Sequence, residues 1–282
     1  MANVSVAFLS VLRREKYLLI PVLFLIPVIA SAVFAEFIAL YNPLRTRVGP
    51  PLTPPSPTYL MGTDQAGSDI FSQVIYGSRT AMYVAFTSIL LSVILGFAVG
   101  FPAGYFRGII DEVLMRVADV ILSIPSFVLI IFLIVLFGSN INIIVMIIAL
   151  VSWPTLARII RAQVLSVRER EFVLAARALG AGSLRIMFSE MLPNIIIPIL
   201  PAITLQMSFA ILVESGVSFL GLGDQNVISW GRVLWMASRS IYVGVWWGIL
   251  FPGLFLSISI LGLNLLGDGL SKVINPRQIR KG

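Results

Sequence analysis

Six long apolar windows in the sequence leave few folds open to it. They lie at residues 17–40, 80–105, 113–137, 141–160, 194–217 and 243–266. A helix needs about 20 apolar residues to cross the roughly 30 Å hydrocarbon core of a bilayer. Because backbone polar groups in lipid must be bonded internally, windows of this length suit helices. We therefore predict an all-α membrane protein with six transmembrane helices.

The charge balance favours a membrane protein over one that binds nucleic acid. The chain has 58% hydrophobic and 12% charged residues, and its formal net charge is +7. Its basic residues sit in short segments beside the apolar windows, so we expect lipid, and no nucleic acid, as its surroundings. The first window is too long for the core of a signal peptide, and we expect it to remain as a spanning helix.

The positions of Arg and Lys predict the orientation in the membrane, because positive residues are retained in the cytoplasm. One predicted face has an N-terminal segment at 1–16, a loop at 161–193 and a tail at 267–282. Its basic residues are Arg13, Arg14, Lys16, Arg107, Arg116, Arg158, Arg161, Arg168, Arg170, Arg177, Arg185, Lys272, Arg277, Arg280 and Lys281. The other face has only Arg45, Arg47, Arg79, Arg232 and Arg239. We expect a multi-pass protein of the plasma or inner membrane with both termini in the cytoplasm.

Two segments are predicted on the outer face. Residues 41–79 start with a proline-rich stretch that favours an extended path, and continue into turn formers that predict an ordered loop or a half-buried helix. The turn-forming residues singled out there are Gly62, Thr63, Asp64 and Asp69. The second segment, 218–242, contains Trp230 and Trp235, which suit an aromatic belt at the membrane interface or stacking on a ligand.

The predicted cytoplasmic loop reads as two short amphipathic helices joined by a glycine turn. The first has one apolar stripe and ends at Gly180, which suits the left-handed position after a helix. The second is expected to start with Ser183 as its N-cap, to carry a similar stripe and to end before Pro193. The two stripes are Phe172, Ala175, Ala176 and Leu179, then Leu184, Met187, Phe188 and Met191.

Helices of about ten residues are too short to be stable alone in water, so each must bury its apolar stripe. From the residues alone, two arrangements remain open. The helices can pack on the transmembrane ends or lie on lipid with their arginines facing acidic headgroups. Alternatively, they form a docking surface for a cytoplasmic partner.

The pattern E-x3-A-A-x3-G-x11-L-P at 171–193 resembles the "EAA" loop of ATP-binding-cassette importer permeases. In that family the two helices insert into a cleft of the ATPase subunit and couple it to transport. The resemblance implies an ATPase-coupling role for Glu171, Phe172, Ala175, Ala176, Leu179, Gly180, Leu184, Met187, Phe188, Leu192 and Pro193. The chain departs from the family pattern with Leu174 in place of glutamate and Glu190 in place of isoleucine.

Further motifs are similar to the C-type permease subunit of dipeptide and oligopeptide importers. They are GTDQAGSDIFSQVIYGSR at 62–79, SWP at 152–154, RALGAG at 177–182, LPN at 192–194, SFLGLG at 218–223, SWG at 229–231, FPGL at 251–254 and NLLGDGL at 264–270. The resemblance implies a type I importer architecture with a permease core at 80–266. It also implies a B-type permease partner, two cytoplasmic ATPases and an external solute-binding protein. Related importers carry oligosaccharides or nickel, and both solutes remain alternatives to peptides.

The chain lacks the residues of most catalytic and cofactor sites. It has no Cys and no His, and no G-x-x-x-x-G-K-[ST] phosphate loop. We expect no enzyme activity, metal or cofactor in this chain, with ATP and Mg²⁺ bound by partner subunits. The GLGD at 221–224 resembles an intramembrane protease motif, but no Tyr-Asp pair accompanies it. A stand-alone secondary transporter or channel is the alternative of another class, and a membrane-embedded enzyme is a third.

A few polar residues inside the apolar windows are candidates for a translocation path: Asp119, Ser123, Gln206, Ser208 and Glu214. Ionisable groups at depth are costly unless they face water, the bundle interior or a partner. Asp119 can instead pair with Arg116 three residues earlier. Glu214 can cap its helix or pair with an outer arginine. The neutral residues can equally serve helix packing.

Overall fold

The computed structural model describes residues 16–274, which form helices and loops with no β-strand. Segments 1–15 and 275–282 lie outside the described residues, with the predicted cytoplasmic Arg13, Arg14, Arg277, Arg280 and Lys281. The main helices are α1 (Lys16–Val33), α2 (Ile70–Phe106), α3 (Gly108–Leu122), α4 (Ser126–Phe137), α5 (Ile141–Arg168), α6 (Glu171–Ala178), α7 (Ser183–Phe219), α8 (Trp230–Ser238) and α9 (Trp247–Ile274). Short helical turns lie at Ala35–Ile38 and Ile241–Val243.

Four of these helices, α2, α5, α7 and α9, are long and apolar enough to cross a membrane. Two begin or end well outside their predicted windows, since α2 starts at Ile70 and α5 continues to Arg168. The helix that follows the predicted outer segment 41–79 therefore begins ten residues earlier than expected. The first window is interrupted at Phe34, after the 18 residues of α1.

The window predicted as one spanning helix at 113–137 is a broken span in the structure. α3 and α4 are separate helices bent by 81° at residues 123–125. Pro125 has no N–H to continue the helix and disfavours helical backbone at the residue before it. The charged Asp119 and Arg116 lie on α3, while α4 carries no charge. The bend thus separates a charged amphipathic helix from an apolar one.

Close packing of α2 against α5 forms the centre of the bundle. Gly96, Gly100 and Gly104 lie on one face of α2 at a spacing of four residues. A Cβ atom at Gly100 would lie 2.3 Å from the carbonyl oxygen of Ala157. Small residues at this spacing let helix backbones approach closely in membrane proteins.

The helices run between two ends of the bundle that differ in structure. We call one the Pro-rich end, where residues 41–69 lie, and the other the loop end, where residues 169–183 lie. At the Pro-rich end, the indole N–H of Trp247 donates to the carbonyl of Thr63 at 3.2 Å, and Gln65 donates to Ser240 at 2.5 Å. At the loop end, Arg107 pairs with Glu169 at 2.5 Å.

The outer surface of the bundle is rich in large apolar side chains. Exposed examples are Phe86, Leu90, Ile94, Val128, Phe132, Val135, Leu136, Leu212 and Leu254. An apolar surface of this extent is unfavourable in water and suits contact with lipid or another subunit. Together with the four long helices, it identifies a multi-pass membrane protein.

We expect Gly100→Val to destabilise the bundle, because the added side chain meets the backbone of α5. Overpacking of this kind costs about 1–3 kcal/mol. The measurement is the thermal loss of monodisperse protein purified in detergent. Gly253→Val is the matched control, since a Cβ at Gly253 meets no atom within 4 Å. Equal destabilisation by both variants would contradict the close-packing role.

Candidate functional site

The connection between α6 and α7 is a well-formed helix stop. Gly180 has φ +81, the left-handed conformation that the sequence predicts. The N–H of Gly180 donates to the carbonyl of Arg177, and the N–H of Ala181 donates to that of Ala176, both at 3.0 Å. These two bonds are the Schellman motif, which satisfies the last carbonyls of a helix. The turn therefore fixes the direction of α6 relative to α7.

Only part of each predicted apolar stripe packs against the rest of the chain. Val173, Ile186, Met187 and Met191 are buried in the same core cluster as Val164 and Val167 of α5. Phe172, Ala175 and Leu179 of the first predicted stripe are exposed, so no part of residues 16–274 buries them. α6 instead turns Val173 inward, with Ala176 partly buried beside it.

The large apolar residues of the loop that do not pack inward are exposed and lie between positions 172 and 188. We call them the loop patch, and they are Phe172, Leu174, Leu179, Leu184 and Phe188. Leu179 is 89% exposed, Leu184 72% and Phe188 62%. The inner face of the loop is thus fixed to the bundle, while its outer face has no contact that would bury it among residues 16–274.

The second loop helix is continuous with the following transmembrane helix. It starts as Ser183–Arg185, widens to a π-helix at Ile186–Met191 and continues as Leu192–Phe219. The predicted end before Pro193 is therefore wrong, because Pro193 lies in the first turn of the α-helical part, where its missing N–H is tolerated. Gly182, not Ser183, is the N-cap.

Ion pairs connect the helices near the loop end. Arg161 binds Asp111 through two nitrogens, each 2.5 Å from a carboxylate oxygen. Asp119 pairs with Arg158 of α5, and the expected pair with Arg116 does not form. Arg107 beside Glu169 lowers the pKa of that exposed carboxyl below its ordinary value, so Glu169 stays ionised at neutral pH. These pairs hold α3 to α5 and the start of the loop to the end of α2.

The candidate translocation residues do not form one site. Ser208 is buried and donates to the carbonyl of Thr204 in its own helix at 3.2 Å. Ser123 caps the end of α3 and donates to the carbonyl of Val120 at 2.7 Å. Glu214 is buried near the Pro-rich end and accepts from Ser218 at 2.6 Å, with no arginine paired to it among the described residues. Only Gln206 borders an internal cleft, whereas Asp119 borders a separate charged cleft beside Arg158.

The outer-loop residues hold the Pro-rich end together. Asp64 accepts from the backbone N–H of Ala66 and of Ser68 at 2.8 Å and from the Gln73 amide at 3.0 Å. Asp69 is the N-cap of α2 and accepts from the N–H of Ser72 at 2.8 Å.

Thr63 and Gly62, which are also predicted in the outer segment, contact earlier residues of that same segment. The Thr63 hydroxyl donates to the carbonyl of Pro50 at 2.6 Å. Gly62 has φ +76, and a Cβ there would lie 2.6 Å from the carbonyl oxygen of Thr53. The predicted turn formers thus lie in an ordered segment. The segment is ordered because its buried polar groups are hydrogen-bonded.

Trp230 lies neither in an aromatic belt at the surface nor at a site open to a ligand, the two roles that the sequence suggests. It is buried over Gly77, and its indole N–H donates to the carbonyl of Val74 at 2.9 Å. Gly231 allows α8 to approach the backbone of Ser215 in α7. The missed contacts had signals in the sequence. Gly96, Gly100 and Gly104 share a spacing of four, and Arg158 is a charge inside an apolar window that requires a partner, with Arg161 directly after that window.

Comparison with known proteins gives one consistent result. Residues 92–280 match the model of a family described as the binding-protein-dependent transport system inner membrane component. The chain is 34% identical to the dipeptide transport system permease protein DppC of Bacillus subtilis, over 94% of this chain and 83% of the relative. It is 35% identical to the di/tripeptide transport system permease protein DppC of Pseudomonas aeruginosa, over 90% of this chain and 86% of the relative. Its identity to the oligopeptide transport system permease protein OppC of Bacillus subtilis is 32%, over 94% of this chain and 87% of the relative.

A solved structure shares the fold at low sequence identity. A chain of the MetNI methionine ABC transporter, in inward-facing conformations, matches with a TM-score of 0.56 and 15% identity. The match covers 72% of this chain and 96% of that chain. The helical arrangement of this chain is therefore similar to that of this transporter chain.

We expect Asp64→Ala to destabilise the Pro-rich end, because it leaves two backbone N–H groups and the Gln73 amide without their acceptor. Each unsatisfied buried donor costs about 1–3 kcal/mol. The measurement is thermal unfolding in detergent. Glu112→Ala is the control, since Glu112 is an exposed carboxylate. A change no larger than that of the control would show that Asp64 does not organise the segment.

Proposed function

The chain belongs to the family of binding-protein-dependent transport system inner membrane components, and we propose that it is the permease subunit of an ATP-driven importer of di- and oligopeptides. The peptide solute is supported by the printed names of relatives with 32–35% identity. Oligosaccharides and nickel remain the alternative solutes.

The loop patch is the observation that carries this proposal. Isolated exposed apolar residues are common on proteins, but five on one short loop form a surface that suits contact with another molecule. The loop is held in place by Val173, Met187 and Met191 on its inner face, so the patch keeps a fixed shape. A fixed apolar surface is what a partner protein recognises at low entropic cost. We assign the partner as a cytoplasmic ATPase subunit.

The assignment of coupling residues follows from this geometry. Phe172, Leu179, Leu184 and Phe188 would contact the ATPase directly, with Glu171 and Ala175 exposed beside them. Met187 and Ala176 would hold the loop to the bundle, and Gly180 would set its turn. Leu192 and Pro193 would pass motion of the docked loop into α7, because the helix is continuous from Ser183 to Phe219.

The remaining partners are proposed on the same basis. A second permease subunit would complete the pore, of which this chain would form half. An external solute-binding protein would deliver the solute to the Pro-rich end. Both termini and the loop end would then face the cytoplasm, in agreement with the distribution of arginine. ATP and Mg²⁺ would be bound by the ATPase subunits, because this chain has no phosphate loop.

Substitution of Gly180 tests docking, because the site has room in this chain. A Cβ at Gly180 meets no atom within 4 Å, so Gly180→Arg should leave the protein inserted. In a docked complex the long charged side chain would enter the interface. We expect ATP-dependent uptake of radiolabelled dialanine to fall about tenfold or more, the effect of a 1.4 kcal/mol interface penalty.

Gly180→Ala is the control for this experiment, because it imposes the same left-handed strain without the bulk. It should retain most of the uptake. Equal losses in both variants would assign the effect to the backbone turn, and unchanged uptake in Gly180→Arg would contradict docking.

Removing the apolar groups of the loop patch tests the same surface without altering the turn. We expect Leu184→Ser with Phe188→Ser to abolish copurification of the ATPase subunits and uptake, because most of the exposed apolar area of α7 in the loop is lost. Val128→Ser with Phe132→Ser, on the exposed surface of α4, is the matched control. If the loop instead lies on lipid, both double variants would copurify with the ATPases as the unaltered chain does.

A further inference from the structure

Polar side chains line a cleft of about 290 Å³ where α3 bends into α4. Ser126 comes from the bend, Ser152 and Thr155 from α5, and Gln206 from α7. Pro125 and Phe209 are among the apolar residues beside them. Ser152 belongs to the SWP motif at 152–154, whose function the coupling loop does not explain. The cleft therefore brings together polar residues from three of the chain's membrane elements.

The hydrogen-bonding groups of this cleft are left unused by the protein. The Ser152 side chain is only 7% exposed, and its hydroxyl has no hydrogen-bond partner within residues 16–274. The Gln206 amide reaches only the carbonyl of Ser152, at a long 3.5 Å. Serines elsewhere in the bundle behave differently. Ser88 donates to the carbonyl of Val84 at 2.6 Å, as serines inside helices commonly do.

The depth of the cleft makes these unused groups costly. Gln206 is near the midpoint of Leu192–Phe219, and Ser152 is roughly 16 Å along α5 from Ile141 at 1.5 Å per residue. This places both near the middle of the hydrocarbon layer. A polar group without a partner at that depth costs several kcal/mol in lipid. Water, a passing solute or an adjoining subunit would have to supply the partner that the buried Ser152 hydroxyl lacks, and a solute can reach the exposed Thr155 and Ser126 beside it.

The chemistry of the lining favours a particular solute group. The lining residues are all neutral, and the charges of Asp119 and Arg158 begin about one helical turn nearer the loop end. Hydroxyl and carboxamide groups can each donate and accept, which matches the N–H and C=O of a peptide bond. Such contacts do not depend on the side chains of the solute. A metal ion would find no carboxylate here.

We infer that this cleft binds the backbone amide of a peptide during its passage, through Ser152, Thr155 and Gln206. The inference rests on the proposed function, because it takes the solute to be a peptide. It adds the residues that contact the solute and the chemical group they recognise. Ser126, at the bend between α3 and α4, would contact the same group from the opposite wall.

The test compares a peptide with its ester analogue in cells that lack the chromosomal gene and express each variant. Alanyl-lactate lacks the N–H of dialanine but keeps its shape. The variants are Thr155→Val and Gln206→Leu, singly and together. The ratio of dialanine uptake to alanyl-lactate uptake is the readout, because it does not depend on the amount of transporter in the membrane.

We expect the double variant to take up dialanine about tenfold more slowly, the effect of losing one or two neutral hydrogen bonds. Its amide-to-ester ratio should fall below that of the unaltered chain. Thr155→Ser, which keeps the hydroxyl, should have the ratio of the unaltered chain. Ser208→Ala, which removes a hydroxyl that is already bonded within its own helix, should also leave the ratio unchanged.

The outcomes separate the two proposals. An unaltered ratio in the double variant would overturn the role of the cleft while leaving peptide import intact. If cells with the unaltered chain take up no dialanine but import maltotriose or Ni²⁺, the peptide solute is wrong and the inference fails with it.

Discussion

The glycine-lined contact between α2 and α5 determines where every other part of this bundle lies. Because Gly100 has no side chain, the backbone of α2 approaches the carbonyl of Ala157 more closely than any other residue would allow. Helices in lipid gain little from the hydrophobic effect, so such close backbone packing is a main source of their association. The contact also brings the end of α2 next to the start of the loop, which allows Arg107 to reach Glu169.

The two ends of the bundle use different physical interactions, and this asymmetry has a functional consequence. At the Pro-rich end, Asp64, Asp69 and Trp247 satisfy backbone groups and make the connecting segments compact. At the loop end, the inner face is packed but the loop patch is exposed. Leu174, which occupies the position of a family glutamate, adds apolar area to that patch. This departure from the pattern thus replaces a charge with apolar area on the loop surface.

The sequence predicts the local features of this fold better than its packing. Hydropathy located the membrane-spanning windows, and the glycine rule identified the left-handed turn at Gly180, because both depend on neighbouring residues alone. Helical periodicity placed an apolar stripe on α6 but could not tell that Val173, one residue after Phe172, faces α5. Pro125 is visible in the sequence, yet a proline can kink a span or divide it. The 81° bend is accompanied by long-range ion pairs between α3 and α5, which the sequence does not reveal. Long-range partners such as Arg158 for Asp119 are likewise set by tertiary packing.

The continuity of α7 joins the two proposed sites in one mechanical element. Gln206 is 23 residues after Ser183, roughly 35 Å along α7, so under the proposed function a displacement of the loop by a docked ATPase would move the Gln206 wall of the cleft. The opposite wall moves less, because Arg161 and Arg158 hold α3 to α5, and α5 is fixed to α2 by the glycine contact. A helix that moves against a fixed pair can change the width of the cleft between them. Under the proposed function, ATP-driven movement at the loop would thereby alter the contact between Gln206 and a peptide amide at the middle of the membrane.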